Sequence, residues 1–213
     1  MTNSIPAFGD SLAPLSDNYG FERGTPLDRK YIEDFLSHCR HVIRGSVLEV
    51  TDSLYTTRFG GGHVSRSAVV DIDVSNPLAT LVADLTEPDS LPAEAYDCII
   101  LTQTLHLLSR PGRCLETCHR ALRSGGSLLL TAPTLSRVSP SHANSDFWRF
   151  TPAGIKQLFC DFWTGPFSIE SFGNLRICVG FLLAEVVEEI PEDTFAVHDP
   201  RFPLTVAVHA QKQ

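Results

Sequence analysis

The 213-residue chain has no cluster of lysine or arginine anywhere, and its formal net charge is −8. Nucleic-acid backbones are held by basic faces, so DNA and RNA are disfavoured as partners. Long hydrophobic runs are missing as well. The longest apolar stretch, Val179 to Val187, is broken by Glu185 and is far too short to cross a bilayer. The opening residues Met1–Pro6 lack a basic segment followed by an apolar one, which leads us to expect a cytoplasmic protein. Six cysteines are present, but Cys98 falls in an apolar run and Cys114 and Cys118 share a helix face. That distribution suits reduced thiols better than a disulfide framework. Cys114 and Cys118 with His119 have no second ligand pair at usable spacing, so no metal is expected. Glycine is absent from Ser46 through Phe59, directly after an apolar run that reads as a buried strand.

What is present is alternation. Strand patterns at 46–50, 68–74, 80–83, 96–101 and 127–131 are separated by turns or helical segments. One helix starts near Asp28 and carries an apolar stripe of Ile32, Phe35, Leu36 and Cys39. Another runs from Pro111 to Leu122 and is closed by Ser124-Gly125-Gly126. Thr151-Pro152 opens a third, through Phe159, because threonine caps well and proline suits the first turn. The remaining 168–172, 175–189 and 204–210 read as strand, helix and strand. With 43% hydrophobic residues, this is one α/β domain built on a doubly wound sheet, its ligand crevice at the carboxyl ends of strands one, two and four. Residues 1–16, rich in Pro, Ser, Ala and Gly, read as a loosely draped arm ahead of a domain at 17–213.

Several segments carry a more specific signal. Tyr96–Leu108 (YDCIILTQTLHLL) is similar to an "FD, apolar strand, then hydrophobic-His" block. Leu115–Leu128 (LETCHRALRSGGSL) is similar to E-x-x-R-V-L-K-P-G-G, and Ser145–Ile155 (SDFWRFTPAGI) to DYWRFTPxGL. Together these resemble class I S-adenosylmethionine (SAM) dependent methyltransferases of the type 11 group, over about residues 17 to 183. The resemblance implies a Rossmann-like sheet of seven strands, mostly parallel, with the final strand inserted antiparallel. It also implies SAM as cofactor, although Thr51, Ser53 and Tyr55 stand where the group places glycines. The segments Tyr19–Ile32 and Glu49–Gly60 resemble a subgroup found with glycosyltransferases, whose first strand tends to read LEVGDxxYTxxFG; only Thr51 departs from it.

The resemblance assigns cofactor contacts to Glu49, Thr51, Asp71, Asp84, Leu85 and Thr102. Asp71 is the ribose ligand with Asp73 as competitor. Asp84 and Leu85 lie against the adenine, a turn or cap aspartate being the plain reading of Asp84. Glu49 serves the methionine end or forms a salt bridge to Arg58 or a neighbouring lysine. Thr51 is the difficulty, since a β-branched residue resists φ > 0 and sets a methyl in the cofactor's path. For proton transfer the candidates are His142 with Asp146, in a polar loop over the pocket where a solvated histidine is the plain alternative, and His106, more often a structural histidine at such a place. Tyr19, Arg23 and Tyr31 are candidates for the substrate pocket or for packing. Two functions follow: methyl transfer to a hydroxyl or amine of a small molecule, sugar-like or a natural-product scaffold, or a methyltransferase-like protein that catalyses a cyclisation or isomerisation or only binds a ligand.

Overall fold

The computed structural model describes residues 13–213. The arm expected at 1–16 therefore lies mostly outside the described residues. Its last residues pack: the Leu15 amide donates to the Leu183 carbonyl, and Ser16 is buried.

Seven strands form one sheet: β1 (Gly45–Val50), β2 (Val64–Asp71), β3 (Leu81–Val82), β4 (Tyr96–Thr102), β5 (Leu122–Pro133), β6 (Phe167–Phe172) and β7 (Thr205–Gln211). Their order is β3-β2-β1-β4-β5-β7-β6. The β1–β2, β1–β4, β2–β3 and β4–β5 pairs are parallel, and β7 runs antiparallel to both β5 and β6. Four helices flank it: α1 (Leu27–His38), α2 (Pro111–Ala121), α3 (Pro152–Phe162) and α4 (Leu175–Leu183). The sheet and its antiparallel last strand are those the sequence led us to expect.

Burial follows the strand period. On β1, Leu48 packs with Val70, Ile99, Leu128 and the apolar sides of α2 and α3. Its neighbour Val47 packs on the opposite face with Cys98, Ile100, Leu129 and the Ile32, Phe35 and Leu36 stripe of α1. Inner strands covered on both faces give the near-continuous apolar runs that marked them in the sequence. Cys114 and Cys118 are free and fully buried in the first of these clusters.

Several boundaries differ from expectation. The Ser124-Gly125-Gly126 turn is absorbed into β5, with Gly125 at φ 77°. The helix expected to reach residue 189 stops at Leu183, where Ala184 takes φ 62° and caps it in a left-handed conformation. β2 begins earlier, at Val64, and ends at Asp71 rather than reaching residue 74. Among the described residues no helix is long and apolar enough to cross a membrane.

Candidate functional site

The carboxyl ends of β1, β2 and β4 open into a cleft of about 470 Å³. Its floor is the turn after β1. Thr51 there adopts φ 72°, the left-handed conformation that a glycine would supply without strain. Two hydrogen bonds hold it: the Thr51 amide donates to the Val70 carbonyl at 2.9 Å, and Asn76 Nδ2 donates to the Thr51 carbonyl at 2.7 Å. The threonine thus keeps the backbone path of the glycine turn. Its side chain is exposed on the cleft wall.

Glu49, at the end of β1, has both oxygens committed. Oε1 accepts from the Tyr55 amide at 3.0 Å and Oε2 from the Thr56 amide at 2.7 Å. These amides open the helical turn Thr56–Gly60, so a buried carboxylate caps it from below. Burial pushes the Glu49 carboxyl upward, and the Thr56 and Tyr55 hydrogen bonds act against that. The alternative of a salt bridge to Arg58 is not realised, because Arg58 pairs with Glu33 at 2.6 Å.

Asp71 lies at the tip of β2 on the cleft wall. Its Oδ1 accepts from the Asp73 amide at 2.9 Å and its Oδ2 from Asn76 Nδ2 at 2.7 Å. A carboxylate has about four acceptor sites, so room for ribose hydroxyls remains. Asp73, the competitor, instead caps its own turn through Ser75 and does not line the cleft. Asp84 Oδ1 accepts from both the amide and the hydroxyl of Thr86, at 2.8 Å each. Buried Leu85 stands beside it, and both line the cleft with Thr102. The six residues singled out for the cofactor are thus brought to one wall.

These residues suit SAM by chemistry. The cleft combines a left-handed backbone turn at Thr51, the carboxylates of Asp71 and Asp84 with acceptor capacity to spare, and the apolar side chains of Ile72 and Leu85, a set that could hold a nucleoside cofactor.

A second cavity, of about 340 Å³, adjoins the first. Arg29, Gln103, Leu107 and His142 line both. Its walls come from the segment 18–29, the end of β4, the loop 133–146 and α4. The loop is stitched to the segment before α1: Arg137 Nη1 donates to the Ser16 carbonyl at 3.1 Å, and its guanidinium lies 4.2 Å from the Tyr19 ring centroid. Gln103 sits at the junction with φ 46°, and its Nε2 is buried without a hydrogen-bond partner among the described residues.

His106, His142, Asp146 and Tyr19 line this second cavity together. Burial drives the His106 pKa down to about 4, so its imidazole is neutral at ordinary pH. His142 is exposed, with Nδ1 3.0 Å from the Ser141 hydroxyl. Asp146 does not orient it. Both of its carboxylate oxygens are held by Arg149, which keeps that carboxyl below its ordinary range. Arg23 and Tyr31 are not brought to the cavity. Arg23 joins Glu189 and the Ala184 carbonyl at the surface, and Tyr31 is 2% exposed, stacked on Phe172. Asp28, Arg29 and Gln103 line the site and were not singled out from the sequence; the first two read only as helix-start residues.

Comparison with known proteins bears on the fold and on the central part of the chain. Residues 56–130, about a third of the chain, match the family described as "Methyltransferase domain". No curated protein matches the chain. Among solved structures, a SAM-dependent methyltransferase from Archaeoglobus fulgidus is 15% identical at TM-score 0.57, covering 86% of this chain and 94% of that one. One from Mesorhizobium loti is 14% identical at TM-score 0.53, covering 80% and 93%. The [4+2]-cyclase SpnF is 15% identical at TM-score 0.53, covering 89% and 84%. At these identities the structures show the fold alone. The chain has the class I SAM-dependent methyltransferase fold. With the domain match over its centre, its resemblance to that family, first drawn from the motifs, stands.

Proposed function

We propose that this protein transfers a methyl group from SAM to a hydroxyl or amine of a small molecule, a sugar or a natural-product scaffold. The observation that carries the reading is the pair of adjoining cavities, with the cofactor-type residues on one side and a polar, aromatic-walled chamber on the other. SAM, when bound, supplies an activated methyl on a positively charged sulfur. The protein's part is placement. Methyl transfer is an in-line displacement and depends chiefly on holding the acceptor atom in line at close range. Asp71 and Asp84 offer acceptors to ribose and adenine, and Leu85 offers an apolar surface to the ring. Arg29, partly buried beside the Tyr55 hydroxyl, faces both chambers. The shared wall of Gln103 and Leu107 separates the two chambers at the point where a methyl would cross. The loop 133–146 lines the acceptor chamber.

The second reading is a methyltransferase-like protein that has given up methyl transfer for a cyclisation, an isomerisation or binding alone. What favours it is the Asn76 amide, which occupies both Asp71 and the Thr51 carbonyl where a cofactor would compete. A protein of similar fold, SpnF, is a [4+2]-cyclase, which is compatible with this second reading. Calorimetric titration with SAM and S-adenosylhomocysteine separates the two readings. Binding of either cofactor form, followed by methylated product in mass spectra of acceptor mixtures, supports methyl transfer. Absence of binding by both removes it.

A further inference from the structure

Asp28, in the first turn of α1, is an acid drawn into the second cavity. An acid in a first helical turn is ordinary when it is solvated. Here burial lifts its carboxyl above the ordinary range, against the pull of Arg29 and of the amides of its own turn. No side-chain hydrogen bond to it occurs among the described residues. Its nearest cation, Arg29, donates to the Tyr55 hydroxyl. The Asp28 carboxyl therefore stands at the wall of a cavity rather than in bulk solvent, where a ligand would meet it.

The groups facing it decide what it meets. Arg29 stands on the same turn, Tyr55 on the turn after β1, His106 at the end of β4, and His142 with Asp146 on the loop 133–146. Asp146 is neutralised by Arg149, and His106 carries no charge at pH 7. Asp28 and Arg29 therefore leave the chamber close to neutral. A cationic acceptor would meet Arg29, and an anionic one would meet Asp28. The other lining groups, Asn18, Ser136, Ser139 and Ser141, are short neutral donors and acceptors, while Tyr19 and Phe181 present rings. Hydroxyls around a small ring with an apolar face match such walls.

We propose that this cavity seats a neutral, hydroxyl-rich acceptor such as a sugar ring, and that Asp28 takes the proton of the hydroxyl that is methylated. The proposal rests on the methyl-transfer reading. The acceptor oxygen forms the new C–O bond with a lone pair while the C–S bond of the cofactor breaks, its electron pair returning to sulfur. The O–H pair stays on oxygen as the proton passes to the Asp28 carboxylate, and the neutral acid returns that proton to water after release.

The test compares the unaltered protein with Asp28→Asn and Asp28→Leu. Methyl glucoside and methyl rhamnoside are the neutral probes, with glucosamine and glucuronate as charged controls. Binding is read by saturation-transfer NMR with S-adenosylhomocysteine present, and turnover by methylated product. We expect the neutral glycosides to bind at least about fivefold better than either charged sugar. Asp28→Leu should abolish their signal. Asp28→Asn should keep glycoside and S-adenosylhomocysteine binding within about threefold and lower turnover by about a hundredfold or more, the usual loss with a proton acceptor. The acidic limb of the pH–rate profile should vanish with it. Equal or better binding of a charged sugar, no binding of the neutral ones, or full turnover in Asp28→Asn overturns the proposal. If S-adenosylhomocysteine binds normally in those cases, this proposal alone falls. If the unaltered protein binds no cofactor, the methyl-transfer reading falls first and takes this one with it.

Discussion

Replacing Thr51 by glycine tests the turn after β1 most directly. A left-handed backbone costs an L-residue about 1–2 kcal/mol, and Thr51 sits there at φ 72°. Glycine removes that strain and adds about 0.5–1 kcal/mol of unfolded-state entropy. The bonds to Val70 and from Asn76 use backbone atoms of residue 51 and survive the change. The side chain is exposed, so little burial is lost. Thr51→Gly should therefore gain up to about 1 kcal/mol, which for a chain of this size is a rise of roughly 2–4 °C in Tm. Thr51→Ala keeps a Cβ and should gain less than half as much. Because the backbone already follows the glycine path, any obstruction of the cofactor is the side chain's alone. The gain in S-adenosylhomocysteine affinity should then stay within about tenfold, or about 1.4 kcal/mol. Urea denaturation and calorimetry read both quantities. A loss of 1 kcal/mol or more in Thr51→Gly would refute the strain argument. Tight binding by the unaltered protein with no gain in the variant would refute obstruction.

Three further outcomes are expected. Asp71→Ala should weaken S-adenosylhomocysteine by about 1–3 kcal/mol in calorimetry, the loss of a charged acceptor for hydroxyls; unchanged affinity would move the ribose contact elsewhere. Glu49→Ala leaves the buried Tyr55 and Thr56 amides without an acceptor and should cost about 2–4 kcal/mol in urea denaturation. His106, with a folded pKa of about 4 against an ordinary 6.5, binds its proton less readily folded than unfolded. Its contribution to stability is complete above about pH 6.5 and is lost as pH falls toward 4, by up to about 3 kcal/mol. The NMR signals of its ring should stay flat from pH 5.5 to 9, and a midpoint near 6.5 would contradict its burial.

The sheet was legible because its inner strands are covered on both faces. Val47–Val50 and Cys98–Leu101 spell their burial in the sequence, and the insertion of β7 followed from the family likeness. Glu49, Asp71, Asp84 and Thr102, which the family resemblance singled out, sit at or just past strand ends, and the structure gathers them around one cleft. What periodicity does not encode is pairing across the chain. Arg58 chose Glu33 over Glu49, Asp146 chose Arg149 over His142, and Tyr31 turned into the core against Phe172. Each choice depends on the path of a loop or the roll of a helix, neither of which leaves a repeating trace. The early end of α4 was hidden similarly, because Ala184 in a left-handed cap lacks the glycine that usually announces one.

The same limit explains why Asp28 and Gln103 escaped notice while the structure gives them weight. Among the described residues six that are not glycine take positive φ, and three of them, Tyr19, Thr51 and Gln103, line the two adjoining cavities. Such conformations each cost about 1–3 kcal/mol and persist where the surroundings over-determine them. Packing alone gives no reason for half of them to gather at one place. Gln103 adds an unpaired buried amide to its strain, and Asp28 adds a desolvated carboxyl. The fold thus concentrates its locally unfavourable choices around the junction of the two chambers and keeps regular geometry in the core. That distribution marks the junction of the two chambers, on Gln103's side of the β4 strand end, as the candidate functional site.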